Sequence, residues 1–164
     1  MKVLPVVLLT VAVLLSLGQA QIPAPVRTAG PAYEGTIISA EALAASDRSG
    51  SRNQAKAWTP SERDVREAET LLPAYLASHR GGSTLRDSRI PSQLSRYKRQ
   101  YCGFGHGKRR EILILFFHED SSVVRKGLWL KGMVSAAGGG DQFFRIRYRV
   151  DERRFRGLAI NARE

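Results

Sequence analysis

Apolar and basic residues alternate most clearly near the C-terminus, in the segment FFRIRYRV that spans residues 143–150. Successive side chains of an extended strand point to opposite faces, so this alternation predicts a strand with one buried and one solvated face. The buried side would carry Phe144, Ile146, Tyr148 and Val150. The solvated side would carry Arg145, Arg147 and Arg149.

Four more segments of the C-terminal half have the pattern of strands. EILILFFH, residues 111–118, is apolar on both faces and predicts an interior strand that is covered on both sides. SRYKRQYCGF, residues 95–104, precedes it as the predicted hairpin partner. RFRGLAI, residues 154–160, predicts a short strand after a turn at Asp151-Glu152. LWLKGMV, residues 128–134, also alternates and predicts a strand with Trp129 and Lys131 on one side.

A period near 3.6 residues indicates an amphipathic helix in TPSERDVREAETLLPAYLASHR, residues 59–80. Thr59 is the predicted N-cap, with Pro60 at the first helical position and Glu62 completing a capping box. Pro73 is expected to bend the helix because it removes a backbone hydrogen bond, and Gly81-Gly82 is expected to end it. The predicted buried stripe consists of Val65, Ala68, Leu72, Tyr75 and Leu76.

These elements predict an α+β domain in which one long helix packs on a curled antiparallel sheet of about five strands in meander order. The outline is cystatin-like by analogy of element order alone. Residues 21–57 are rich in Pro, Ala, Gly and Ser with little periodicity, which predicts a flexible or loosely packed arm. Residues 58–164 are therefore expected to form a single α+β domain.

The N-terminus has the pattern of an export signal. Lys2 precedes an apolar stretch, and Gly18 and Ala20 stand at the small-residue positions that a leader peptidase reads. We expect residues 1–20 to be a signal peptide that is cleaved near Ala20, which leaves a periplasmic or secreted chain. The apolar stretch is shorter than the roughly 20 residues that a spanning helix needs, so no membrane span is expected in the mature chain.

The chain is strongly basic, with 26 Lys and Arg against 15 Asp and Glu and a formal net charge of +11. Residues 81–110 contain eight of these bases and a single acid, Asp87. This excess favours anionic partners, such as an acidic polysaccharide, a lipid headgroup or an acidic protein. Nucleic acid is an unlikely partner because the chain is expected to be exported and contains no base-reading motif.

The only cysteine and two of the three histidines lie in YCGFGHGKRREILILFFHED, residues 101–120. Its glycines, at positions 103, 105 and 107, suit a tight or bulged hairpin turn. They do not suit a phosphate-binding loop, because a strand and not a helix follows them. One cysteine also excludes an intramolecular disulfide.

The same segment offers candidate residues for metal binding or catalysis. Zinc needs three or four ligands within tetrahedral reach, and a hairpin would hold Cys102 and His118 far apart. The sequence therefore predicts no metal site, no cofactor and no catalytic set. The alternative is a small exported enzyme with a site around Cys102, His106 and Tyr101, in which nearby bases activate the thiol. A buried, inert cysteine is the simpler interpretation.

Several segments together resemble a group of small uncharacterised exported bacterial proteins. The shared pattern is a Thr-Pro-capped helix, an Arg-Gln-Tyr strand at residues 99–101, a Gly-Gly turn before an aromatic strand, and a Leu-x-x-Asn end at residues 158–161. The resemblance spans roughly residues 58–164 and implies export and a common fold rather than a particular chemistry. This chain departs from the pattern at the turn Gly138-Gly139-Gly140-Asp141 and at Ala162.

We interpret the chain as a binding module whose sheet presents a basic face with an aromatic residue in it. Arginine offers planar paired donors that match carboxylate, phosphate and sulfate groups. The predicted ligand-binding residues are Arg145, Arg147, Arg149, Lys131, Trp129 and Arg156. Two other interpretations fit the pattern, namely an arginine-rich face that only keeps the protein soluble and the enzyme described above.

Overall fold

A computed structural model describes residues 22–46, 56–79, 85 and 88–162 of the chain. The predicted signal peptide, residues 1–20, and the predicted helix end at Gly81-Gly82 lie outside these ranges. Within the described ranges, no helix combines the length and the apolar character that crossing a membrane requires.

The centre of the protein is a mixed, mostly antiparallel sheet of seven strands. The strands are β1 Val26–Gly30, β2 Tyr33–Ile38, β3 Ala57–Trp58, β4 Tyr97–Phe104, β5 Glu111–His118, β6 Phe143–Arg149 and β7 Arg154–Ile160. Their order across the sheet is β1-β2-β4-β5-β6-β7, and the short β3 also pairs with β4. All neighbouring strands are antiparallel except β2 and β4, which run parallel.

In the part of the chain that the structure describes, three helices accompany the sheet: α1 Ala40–Ser46, α2 Glu62–Ser78 and α3 Ser122–Arg125. The predicted cap of α2 is two residues too early, because Ser61 is the N-cap and forms a reciprocal capping box with Asp64. The Thr59 hydroxyl instead accepts a hydrogen bond from the backbone N–H of Ala40. The helix continues past Pro73, and its buried face packs on one side of the sheet.

The main core lies between α2 and the sheet face that we call the α2 face. Val65, Ala68 and Leu72 of the helix have no solvent exposure, as the predicted stripe requires. From β6, the side chains of Phe144, Ile146 and Tyr148 enter the same core. Stacked rings of Phe116 and Phe144, 3.9 Å apart between centroids, join β5 to β6.

The prediction of an α+β fold is confirmed, and so are the strands β4, β5, β6 and β7 and the β4–β5 hairpin. The prediction of one long helix with five strands in meander order is wrong in detail. The sheet has seven strands, and β2 adds to β4 in parallel rather than by a hairpin. Three helices are present in the described ranges rather than one.

Two further predictions are wrong. Much of the predicted arm, residues 21–57, belongs to the folded unit. It supplies strands β1 and β2, helix α1, and Ala57, the first residue of β3. The segment LWLKGMV is not a strand. Gly127 adopts a left-handed conformation (φ 64°) and begins a 3₁₀ turn over Leu128–Leu130, which places the segment across the sheet instead of within it.

Candidate functional site

The sheet face opposite α2, which we call the cleft face, is covered over only part of its area. At one end α1 contributes Leu43, which packs with Ile38, Cys102 and Leu113. Towards the end of β5, a second small core surrounds Phe117. Its other fully or largely buried members are Val123 of α3 and Trp129. The part of the face formed by β6 and β7 keeps a row of arginines partly exposed.

Polar side chains of the sheet hold the covering segment, residues 128–136, in place. The Gln100 amide nitrogen donates to the carbonyls of Trp129 (2.8 Å) and Gly132 (2.7 Å), and the Gln100 carbonyl oxygen accepts from the Val134 N–H (2.9 Å). The Thr36 hydroxyl also donates to the Trp129 carbonyl, at 3.0 Å. These bonds satisfy backbone groups that a non-strand segment would otherwise bury without partners.

A cleft of about 850 Å³ opens beside the β4–β5 turn, and we call it the arginine cleft. Its cationic side chains come from four separate parts of the chain, and only one carboxylate, that of Glu111, is present among its described lining residues. The lining consists of Lys56, Phe104, Gly105, His106, Arg109, Glu111, Arg147, Arg149 and Arg156.

Strand register explains why three arginines meet at Glu111. Glu111 at the start of β5 pairs with Arg149 of β6, and Arg147 pairs in turn with Arg156 of β7. Arg156 donates from Nη2 to the Glu111 carboxylate. The other two contacts are longer, with Arg149 Nε at 3.5 Å and Arg147 Nη1 at 3.8 Å from carboxylate oxygens.

The arginines of the cleft have donors to spare. A guanidinium group has five N–H donors, and one shared carboxylate does not occupy those of three arginines. The side chains of Arg147 and Arg156 are 43% and 56% exposed, so these donors reach solvent within the cleft. Arg149 has the fewest donors left for a ligand, because it also forms an ion pair with Glu152 at 2.7 Å.

The β4–β5 turn supplies the rim of the cleft through its glycines. Gly105 has φ 91°, and a Cβ atom there would collide with the Arg109 carbonyl oxygen. Glycine therefore allows the turn to close tightly into the 3₁₀ turn Gly107–Arg109. This closure places His106 and Arg109 at the cleft. Gly105 and Gly107 serve the turn with positive φ values, as the sequence predicts. Gly103 does not, because it lies within β4, where the missing Cβ leaves room for Trp58 of β3.

The predicted ligand-binding residues are separated by the fold. Arg147, Arg149 and Arg156 line the arginine cleft, and Arg145 is an exposed neighbour on the same face. Trp129 is only 4% exposed and packs as a cover over the sheet, so its ring is not part of an open basic surface. Lys131 is exposed on the covering segment and is not a lining residue of the cleft.

Three charged lining residues of the cleft, Lys56, Arg109 and Glu111, are absent from the predicted ligand-binding set, and His106 is predicted only for the alternative enzyme. The charge run at residues 108–110 was a usable signal for Arg109, because a hairpin turn beside the arginine strand brings that run near it. Glu111 had no signal of its own. It becomes part of the site only through the β5–β6 register.

Tyr101, Cys102 and His106 do not form a common site. Tyr101 points into the core on the α2 face, whereas the neighbouring Cys102 packs with Ile38 and Leu43 on the cleft face. Burial raises the pKa of the Cys102 thiol to about 12. A thiol in this apolar setting remains protonated at neutral pH, which is unfavourable for a nucleophile.

A second cluster of charged residues is buried on the α2 face. Arg99 Nε lies 3.1 Å from a carboxylate oxygen of Glu69, and the Tyr101 hydroxyl donates to the same oxygen at 2.9 Å. Arg99 also donates to the backbone carbonyls of Tyr97 and Leu94. Burial raises the pKa of Glu69, although the charge of Arg99 opposes this effect. The cluster joins α2 to β4 within the core.

The described residues do not meet the requirements of a metal site. They contain no group of three or more His, Cys, Asp or Glu side chains placed to hold a metal ion. Comparisons of the chain with protein-family models, with curated proteins and with solved structures find no match.

Proposed function

We propose that this protein is a small binding module that takes anionic ligands in the arginine cleft. The observation that carries the proposal is the charge of that cleft, where Lys56, Arg109 and the three arginines of β6 and β7 face a single carboxylate. An anionic group entering the cleft would add the negative charge that these side chains lack.

The chemistry of arginine defines the class of ligand. Its planar fork matches carboxylate, phosphate and sulfate groups with two parallel hydrogen bonds. Arg147 and Arg156 lie opposite each other on adjacent strands, so the rigid sheet sets the spacing of their guanidinium groups.

The proposal includes the cellular setting. The signal pattern of residues 1–20 supports export and cleavage near Ala20, to the periplasm or the exterior. We also propose that the chain shares its fold with the small exported bacterial proteins that it resembles, and that this fold has a cystatin-like outline. Acidic polysaccharides, lipid headgroups and acidic proteins are the anionic partners that such a setting offers, and nucleic acid is the less favoured one.

Binding to an immobilised sulfated polysaccharide tests the proposal. We expect the variant Arg147→Ser/Arg156→Ser to lose about tenfold to a hundredfold in affinity, because each lost charge-assisted bond is worth roughly 1.5–3 kcal/mol before solvent screening. The matched control is Arg63→Ser/Arg125→Ser, which removes the same charge from exposed helical positions outside the cleft. The control should retain affinity within about threefold.

Two outcomes would contradict the proposal. Equal losses from the two double variants would show that only net charge attracts the polymer. Unchanged binding by Arg147→Ser/Arg156→Ser would remove the cleft as the site. Circular dichroism and thermal unfolding must first show that both variants are folded, and Arg147 and Arg156 are suitable because their side chains are largely exposed.

A further inference from the structure

A second groove of about 340 Å³ adjoins the arginine cleft on the same face of the sheet. Arg147 lines both, so the two openings meet at its side chain. The groove runs between the outer side chains of β5 to β7 and residues 133–136 of the covering segment. Its position therefore extends the basic site towards the covered end of the sheet.

The lining of this groove combines polar residues, among them Arg145, Arg147 and Asn161, with aliphatic side chains, which the described lining of the cleft lacks. Leu113 and Leu115 of β5 contribute from the sheet, and Met133 and Val134 contribute from the covering segment. Met133 is 37% exposed, which leaves an apolar side chain at the mouth of the groove. The cationic cleft and a groove with apolar side chains thus adjoin along one face and share Arg147.

We infer that this double site binds an anionic single-chain amphiphile of the fatty-acid class, with its carboxylate in the arginine cleft and its alkyl chain in the apolar groove. The inference rests on the proposed function and specifies its ligand. Charge complementarity supports the headgroup, since Arg147, Arg149 and Arg156 already surround one carboxylate, that of Glu111. Their geometry is thus compatible with a carboxylate as an occupant.

The size of the groove supports a single chain. Its volume lies at the lower end of the roughly 300–1,000 Å³ that small-molecule pockets span. One alkyl chain suits a groove of this size better than the paired chains of a membrane lipid. Burial of such a chain also covers the exposed side of Met133, which no described residue covers fully.

The test measures the affinity of the purified protein for acetate, hexanoate, octanoate and decanoate by calorimetry, at concentrations where the probes are monomeric. If the chain enters the groove, affinity should rise by about threefold to fourfold for each added CH₂ until the groove is filled. Acetate should bind weakly, because it uses the basic end alone. Equal affinity for all four probes would overturn the inference.

A matched pair of variants locates the alkyl chain. Met133→Glu places a charge at the mouth of the groove and should abolish the gain in affinity with chain length. Leu128→Glu makes the same kind of change at a side chain of similar exposure, 40%, that does not line the groove. This control should keep the gain. If the gain survives in both variants or is lost in both, the chain does not lie at Met133, and the inference fails.

The outcomes separate this inference from the proposed function. Acetate and decanoate binding equally, with sulfated polysaccharide still bound through Arg147 and Arg156, would overturn the amphiphile and leave the anion-binding cleft intact. Loss of binding to every carboxylate and to the polysaccharide would overturn both. A decanoate affinity that does not fall in Arg147→Ser/Arg156→Ser would show that the chain binds without the cleft, which also contradicts the inference.

Discussion

The two faces of the sheet each bring a carboxylate into contact with arginine, but they do so in different surroundings. On the α2 face, Glu69 and Arg99 are almost fully buried, with 6% and 1% of their side chains exposed. On the cleft face, Glu111 is 11% exposed, while Arg147 and Arg156 extend towards solvent. The same pair of functional groups thus occurs once in the core and once at a site.

The difference lies in how the guanidinium donors are used. Arg99 forms an ion pair with Glu69 and donates hydrogen bonds to two backbone carbonyls, which fixes it within the fold. The cleft arginines share one carboxylate and keep donors that a ligand can take. We infer that buried arginine specifies structure here, whereas arginine at the cleft is available for binding.

The largest effect should come from Arg99→Met. Removing one partner of a buried ion pair leaves the other uncompensated, and we expect a loss of about 3–5 kcal/mol in the free energy of unfolding. The corresponding change on the cleft face, Arg156→Met, should cost at most about 1 kcal/mol, because Arg156 is 56% exposed and two other arginines still face Glu111. Chemical denaturation of both variants measures the contrast. Similar losses would mean that the two faces do not differ as described.

The next largest effect is the slow reaction of the Cys102 thiol with labelling reagents. Burial raises the pKa of this thiol to about 12, against an ordinary value of 9.0. The thiolate fraction at pH 8 should then be lower by about a thousandfold, and labelling by a thiol reagent should be slower to the same degree. Unfolded protein provides the reference rate. Rapid labelling of the folded protein at pH 8 would instead favour the alternative hypothesis, an enzyme that uses Cys102 as its nucleophile.

A smaller effect is expected from His118, which has no solvent exposure and lies at the end of β5 on the α2 face. Burial lowers the pKa of His118, assisted by Arg89 and Arg96 and opposed by Asp120 and Glu119. As pH falls, the His118 imidazole is therefore protonated in the unfolded chain before it is protonated in the folded protein. The free energy of unfolding should fall as pH decreases through about 6.5 and should be constant with respect to this group at higher pH.

The variant His118→Phe should lack this pH step, the loss of unfolding free energy that His118 causes as pH falls through about 6.5. His106→Phe, at an exposed histidine of the turn, should retain the step. Denaturation curves at several pH values measure both. A step that persists in His118→Phe would assign the pH dependence to another group.

The smallest effect concerns Glu111, and it compares the two carboxylates directly. Glu111→Gln removes the anion that competes with a ligand, so affinity for the sulfated polysaccharide should rise by about threefold, the size of one solvent-screened ion pair. Glu69→Gln should instead destabilise the fold, because it leaves Arg99 buried without a counter-charge. Weaker binding by Glu111→Gln would mean that Glu111 mainly orients the arginines.

The elements that sequence analysis found are those whose pattern is local. Alternation in FFRIRYRV and the apolar run in EILILFFH suffice for β5 and β6, because side-chain period and burial are properties of the strand itself. The first two strands are short, and β2 pairs with residues about sixty positions later. No local pattern reports a parallel partner at that distance, and the composition of residues 26–38 alone predicts an arm.

The site was only partly predictable for the same reason. Arg147, Arg149 and Arg156 share a face by alternation and by the short β6–β7 connection, both visible in the sequence. The alternation of LWLKGMV predicts Trp129 beside them, but Gly127 in a left-handed conformation turns the segment away from the strand direction. Glu111 and Lys56 enter the site through register and chain path, which no single segment encodes.

The arginines of β7 have one more consequence, which concerns association between copies of the chain. β7 is an edge strand, and an extra residue near Gly157 (φ 63°) interrupts its pairing with β6. Like charges at Arg154 and Arg156, together with this bulge, discourage another strand from adding to the open edge. A bound polyanion neutralises that charge. Saturation with such a ligand therefore weakens the protection of the edge against aggregation while it occupies the cleft.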